Sequence, residues 1–266
     1  MFDSDAPLSR AKTPPASWYI NPQHNDLERR AVLDANWQAV TAAHRVAQPG
    51  HYVAGCAGGE PWVVVRGNDG ILRAFANVCR HNGTQVAQGE GCTEQLACPY
   101  HGWRYDLKGR LSKAPRLAGI DGFDRNDYAL KPLQVEVFGP LVMLNISNRA
   151  ERPKLGELEQ RLARLNWQTL RPATRRSYTL ECNWKVFVDN YLDGGYHVPF
   201  LHRRLASELD LSGYQTELFD GFSIQSVHAA QDAGQRLAGE ALYAWVYPNL
   251  MINRYGNMMD TNVVTP

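Results

Sequence analysis

Two cysteines and two histidines in the first half of the chain have the types and spacing to hold iron. Cys79 and His81 form C-x-H; sixteen residues later Cys98 and His101 form C-x2-H, all within CRHNGTQVAQGEGCTEQLACPYHGW (79–103). Two thiolates and two imidazoles on paired loops suit a [2Fe–2S] cluster, the cysteines holding one iron and the histidines the other. Neutral nitrogen ligands leave such a cluster less negative and raise its potential, to roughly −150 to +300 mV. The rival is a structural zinc site in an interaction module, since Cys2His2 is also tetrahedral zinc chemistry. Zinc fingers usually pair like with like, whereas each half here carries one Cys and one His, which favours the two-iron cluster. Gly83 and Gly102 closely follow the histidines, where backbone must pass near the cluster, and Trp103 can shield one flank.

A second candidate lies in NWKVFVDNYLDGGYHVPFLH (183–202), where His197 and His202 are spaced H-x4-H. On an uninterrupted helix they would point about 140° apart. Pro199 between them and Gly194-Gly195 before them predict an irregular turn that swings both imidazoles onto one metal. Two histidines plus a carboxylate make the facial triad of non-haem Fe(II) oxygenases, which leaves positions open for O₂. Spacing alone favours ordinary surface or core histidines. A one-electron carrier upstream in the same chain gives the pair its meaning.

Residues 79–103 resemble the Rieske domain of Rieske non-haem iron oxygenase α subunits. Residues 183–202 are similar to the iron-binding segment of the choline monooxygenase-like branch, and the likeness runs from about Ser17 to Pro266. Respiratory Rieske proteins carry an extra cysteine in each loop; here those positions are Thr84 and Tyr100, so that bridge cannot form. The resemblance implies His197 and His202 as mononuclear Fe(II) ligands. It also implies O₂ as co-substrate, NAD(P)H electrons arriving through a separate reductase or ferredoxin, and a homotrimer. The expected activity is mono- or dioxygenation of a small organic substrate, a quaternary ammonium compound such as choline or a betaine, or an aromatic compound. In the family a carboxylate three residues before the first histidine bridges to the neighbouring subunit's cluster. That position is Gly194 here, so Asp193 is the candidate electron bridge and Asp189 the second choice. The third iron ligand of the family comes from a C-terminal helix. This sequence stops at Pro266, so the reading expects a C-terminally truncated chain with an incomplete triad. Asp260, Glu217 and Asp220 are local substitutes that spacing does not rank. The alternative is an electron-transfer protein or fragment in which only the cluster works. Aromatic residues Tyr191, Tyr196, Phe200, Tyr243, Trp245, Tyr247 and Tyr255 are candidates for a cation-binding cage, or for plain core.

What must position these groups follows from the rest of the chain. At 266 residues there is room for one large domain or two modest ones. A net charge of +1 gives no pull towards nucleic acid or an anionic membrane. No apolar run reaches the ~18 residues that span a bilayer. The N-terminus lacks an apolar signal core, and five cysteines show no disulfide framework, which together point to the cytoplasm. Residues 1–25 read as an extended arm. From Asp26 a helix is predicted through Leu27, Ala31, Val32, Leu33, Trp37 and Val40. WVVVRG (62–67), Asn68-Asp69-Gly70 and ILRAFA (71–76) predict a hairpin leading into Cys79. Further short strands are expected at 95–97, 104–107, 135–138 and 141–146, then a helix over 155–165. The expected class is α+β: an antiparallel β Rieske domain followed by the first part of a helix-grip catalytic domain. The expected borders are 1–45 for the arm and helix, 46–150 for the Rieske domain and 151–266 for the catalytic portion.

Overall fold

The structure, a computed structural model, describes residues 2–117, 120–230 and 239–266. The chain divides into two compact units, Leu33–Thr169 and Met1–Val32 together with Leu170–Pro266. The borders expected at 46 and 151 therefore fall inside the first unit.

Within the arm expected over residues 1–25, a short turn lies at Leu8–Arg10 and helices begin at Ser17. Helix α1 (Ser17–Ile20) is followed by α2 (Pro22–Glu28), whose start is set by Asn21, its side chain accepting from Gln23 N at 3.0 Å. Pro22 opens the helix, where its missing N–H costs nothing. A wide helical turn over Arg29–Leu33 follows and then stops. The predicted helix through Trp37 and Val40 is corrected here: strand β1 (Trp37–Ala42) takes those residues. Cross-strand pairing overrides the helical spacing, and buried Gln38 donates to Leu33 O at 2.7 Å, satisfying a carbonyl the helix leaves open.

The first unit is built on a seven-stranded sheet. With β2 (His51–Ala57), β3 (Glu60–Arg66), β4 (Leu72–Ala76), β5 (Glu90–Cys92), β9 (Pro132–Phe138) and β10 (Leu141–Asn145), its order is β1-β10-β9-β4-β3-β2-β5. The β3–β4 hairpin forms as read, with Val65 opposite Arg73 and Gly70 at φ 75° in its turn. The run WVVV is buried on both faces, which explains why it does not alternate in polarity. Val63 and Val65 face a cluster holding Cys79, Leu96, Cys98, Trp103 and Tyr105. Trp62 and Val64 face another with Val53, Val142 and Leu144. A small sheet, β6 (Leu96–Ala97), β7 (Arg104–Tyr105) and β8 (Leu111–Lys113), stands beyond Phe75. After β10, helix α3 (Gly156–Arg164) buries Leu158 and Leu162, and Trp167 packs on Phe138.

The second unit pairs a short-helix segment with a five-stranded antiparallel meander. The helices are α4 (Trp184–Tyr191), α5 (Val198–Leu201) and α6 (Arg203–Glu208). The strands are β11 (Gln215–Phe219), β12 (Phe222–His228), β13 (Glu240–Val246), β14 (Leu250–Tyr255) and β15 (Met258–Val263), in that order across the sheet. Register sets Thr216, Gln225, Tyr243, Asn253 and Asp260 in one cross-strand row. On the same face Trp184 and Val188 of α4 pack against Met251 and Trp245, while Leu205 and Leu209 pack against Val227 and Ala241. The N-terminal helices grip α4 through polar contacts. Tyr19 Oη donates to Asp189 at 2.7 Å, Asn183 Nδ2 to Tyr19 O at 3.1 Å, and Trp184 Nε1 and Lys185 Nζ to Glu28 at 2.9 and 2.7 Å. No described helix is long and apolar enough to cross a membrane.

Candidate metal centres

The two cysteine–histidine loops are close copies of each other. Cys79 N donates to Thr84 O at 2.8 Å and Gly83 N returns to Cys79 O at 3.0 Å. Cys98 N donates to Trp103 O at 2.8 Å and Gly102 N returns to Cys98 O at 3.1 Å. Each loop thus closes on its own cysteine, and each closure needs a left-handed residue, supplied by Gly83 (φ 79°) and Gly102 (φ 72°). Among protein atoms, a Cβ on Gly83 meets nothing within 4 Å and one on Gly102 only Pro115 Cγ at 3.8 Å, so the backbone angle is the requirement seen here.

The closures bury both sulfurs and leave both imidazoles at the surface. His81 and His101 lie edge to face with centroids 4.7 Å apart. Trp103, nearly parallel to His81 at 4.9 Å, covers one flank as expected, and Tyr100 stacks on His101 at 4.0 Å. Two residues that no motif singled out complete the cradle. Tyr105 Oη lies within hydrogen-bond distance of Cys79 Sγ, at 3.3 Å, and accepts from Arg80 N at 2.9 Å. Burial first, then the bond to Cys79, pushes the Tyr105 hydroxyl well above the ordinary phenol range, keeping it a donor. Asn77, buried at the root of the first loop, accepts from Val86 N and Ala87 N at 2.9 and 3.0 Å and donates to Ala87 O at 2.8 Å. All five cysteines are free. Two buried thiols opposite two surface imidazoles fit a two-iron cluster gripped from both ends.

His197 and His202 bracket α5, their ring centroids 5.2 Å apart and nearly perpendicular. The turn is irregular, but not through Pro199, which sits in the first turn of α5 where no helical bond is lost. The change of direction comes at His202 (φ −120°, ψ 56°) and at Gly194 and Gly195, both left-handed. The same glycines fold the Asp193 carboxylate onto His197. Oδ1 accepts from Gly195 N at 2.9 Å; Oδ2 accepts from His197 N at 3.1 Å and meets His197 Nδ1 at 2.6 Å. A histidine whose Nδ1 proton is held by carboxylate presents Nε2 as a metal-binding lone pair. Asp189 is engaged elsewhere, by Tyr19.

The remaining candidates disperse. Asp260 accepts from Asn253, Tyr255 and Asn262 at 2.8, 2.9 and 3.3 Å on the β14–β15 ribbon. Glu217 lies within β11 and Asp220 follows that strand. Of the aromatic set, Tyr191 has its hydroxyl within hydrogen-bond reach of Asn253 Oδ1, Ala244 O and Ile252 O, and serves as core. Trp245 packs under α4 with Tyr247 edge-on at 5.8 Å, while Tyr243 and Tyr255 join the Leu209 cluster. Tyr196 and Phe200 are exposed, 6.1 Å apart. The structure does not gather them into one cage.

Residues 36–124 match the Rieske [2Fe-2S] domain family, and residues 167–238 match the ring hydroxylating alpha subunit (catalytic domain) family. With these two domains in this order, the chain belongs to the Rieske non-haem iron oxygenases. It is 44% identical to a chloroplastic choline monooxygenase of Arabidopsis thaliana over the whole of this chain and 67% of that protein. Identity to the Beta vulgaris choline monooxygenase is 36%, over all of this chain and 62% of that protein. A carnitine monooxygenase oxygenase subunit of Acinetobacter pittii is 32% identical over 81% of this chain and 59% of its own length. The chain thus spans about two thirds or less of the curated relatives it matches. A quaternary ammonium Rieske monooxygenase solved with L-carnitine superposes with TM-score 0.83 at 29% identity, covering 96% of this chain and 72% of that one. Naphthalene 1,2-dioxygenase from Rhodococcus shares the fold, with TM-score 0.76 at 20% identity over 93% of this chain and 68% of that one.

Proposed function

We propose that the chain is the oxygenase component of a system that hydroxylates a small quaternary ammonium compound, using O₂ and electrons from a separate reductase. Cys79, His81, Cys98 and His101 would hold the [2Fe–2S] cluster, and His197 and His202 the mononuclear iron. When bound, these groups supply one-electron transfer and O₂ activation, which the organic chemistry requires. The residues supply position and charge. Tyr105 donates towards Cys79 Sγ and favours the electron-rich cluster. Asp193 holds the His197 Nδ1 proton and, in a homotrimer, is the candidate bridge to a neighbouring subunit's cluster histidine. The observation that carries the reading is the Asp193–His197 contact of 2.6 Å beside His202, in a chain that also carries the twin ligand loops. The named choline and carnitine monooxygenases support a quaternary ammonium substrate over an aromatic one. The free cysteines suit a reducing compartment, the cytoplasm, although the plant relatives are named as chloroplastic.

The test is metal analysis with product detection. Purified full-length protein should be brown-red, hold about three irons, and with a reductase convert choline or carnitine in step with O₂ uptake. A second reading is electron transfer by the cluster alone. It requires about two irons and no product.

A further inference from the structure

The loop carrying Asp193 and His197 rests on two residues from the sheet side of its unit. Gln225 of β12, 1% exposed, uses both ends of its amide: Oε1 accepts from Tyr214 Oη at 2.8 Å and Nε2 donates to Tyr191 O at 2.9 Å. Tyr191 is the last residue of α4, so its carbonyl is one that the helix cannot satisfy, and Gln225 caps it from another element. Tyr214, just before β11, lays its ring against Gly195, where a Cβ would come within 2.8 Å of the ring. The loop is thereby fixed at its start, by Gln225 on Tyr191, and at its middle, by Tyr214 beneath Gly195. Between those points Asp193 reaches back to Gly195 N and to both the backbone and ring nitrogens of His197.

We propose that Tyr214 and Gln225 are positioning residues that hold the Asp193–His197 pair in register, keeping His197 Nε2 available to a metal before any metal arrives. The inference rests on His197 being an iron ligand. With the lock in place the left-handed turn at Gly194-Gly195 is supported from below, and the carboxylate has one place to go. Without the Gln225 amide the end of α4 loses its cap and Tyr214 its acceptor together, so both anchors loosen at once.

The test uses the full chain with its cluster loaded, and Co(II) as the probe of the second site. Gln225→Leu and Tyr214→Leu should each weaken Co(II) binding about 10–100-fold, with the visible spectrum of the cluster unchanged. Tyr214→Phe keeps the ring on Gly195 and should weaken Co(II) binding by less than about 10-fold, below the Leu variants. In metal-free protein, ¹⁵N shifts of His197 should report a single Nδ1–H tautomer in the wild type and a mixture in Gln225→Leu. If Gln225→Leu lowers the melting temperature but leaves both the Co(II) affinity and the tautomer as they were, the residue is merely structural and the proposal falls. A wild type that takes up no Co(II) overturns the metal-site reading. The tautomer comparison then still decides the lock, which fails if Gln225→Leu matches the wild type.

Discussion

The two candidate metal centres are built in opposite ways. Each cysteine–histidine loop closes on itself within six residues, with its own glycine and its own pair of backbone bonds. The His197–His202 segment closes locally through a side chain, that of Asp193 on Gly195 N and His197 N. Its shape is set by the end of α4, by Gln225 and Tyr214 beneath, and by an N-terminal clasp through Tyr19 and Glu28. A self-closing loop keeps its chemistry in one contiguous run. An assembled site borrows support from residues up to 170 positions away, as Tyr19 and Asp189 show.

If that contrast is sound, damage at one centre should stay there. Cys79→Ala should remove the visible spectrum and about two irons, while His197→Ala should cost about one iron and leave the spectrum intact. A cluster lost in His197→Ala would break the independence of the two. Next in size, Asp193→Asn should weaken Fe(II) binding at the second centre about 10–100-fold in equilibrium dialysis. Asp189→Asn, which keeps an acceptor for Tyr19, should weaken it less than Asp193→Asn; the reverse order would move the orienting role to α4. Tyr105→Phe should lower the cluster potential by on the order of 40 mV, equivalent to about 1 kcal/mol for one electron, readable by protein-film voltammetry. Asn77→Ala should destabilise the first unit by about 1–3 kcal/mol in urea titrations through its three lost bonds. The smallest effect belongs to Tyr19, whose hydroxyl burial and Asp189 push up to about 12. Its folded value is raised, so its contribution is complete below the ordinary phenol range near 10 and is lost as pH climbs through 12. Tyr19→Phe should flatten stability across that window, read against absorbance at 295 nm.

The same contrast decides what could be read from residue order. The paired loops, Gly83, Gly102 and the β3–β4 hairpin were legible because each depends on neighbours a few positions away. Tyr105 had a signal in its place two residues after Trp103, but burial against Cys79 is a tertiary fact. Trp37 and Val40 were misread because Leu33, Trp37 and Val40 recur at helical spacing, while pairing with β10 decides the matter. Pro199 was given a bend that His202 and the two glycines make. Gln225 and Tyr214 carried no local signal at all: an amide in a strand and a tyrosine before one acquire meaning only through register.

The first 32 residues fold with the last part of the chain, and the iron–sulfur portion is inserted between them. Exchange of the electron-accepting module between related chains, by recombination or by design, would therefore need two crossovers instead of one. A hybrid joined only near residue 170 would pair one parent's α4 with the other parent's Tyr19 and Glu28, and its defect would surface at the mononuclear iron, far along the sequence from the foreign residues.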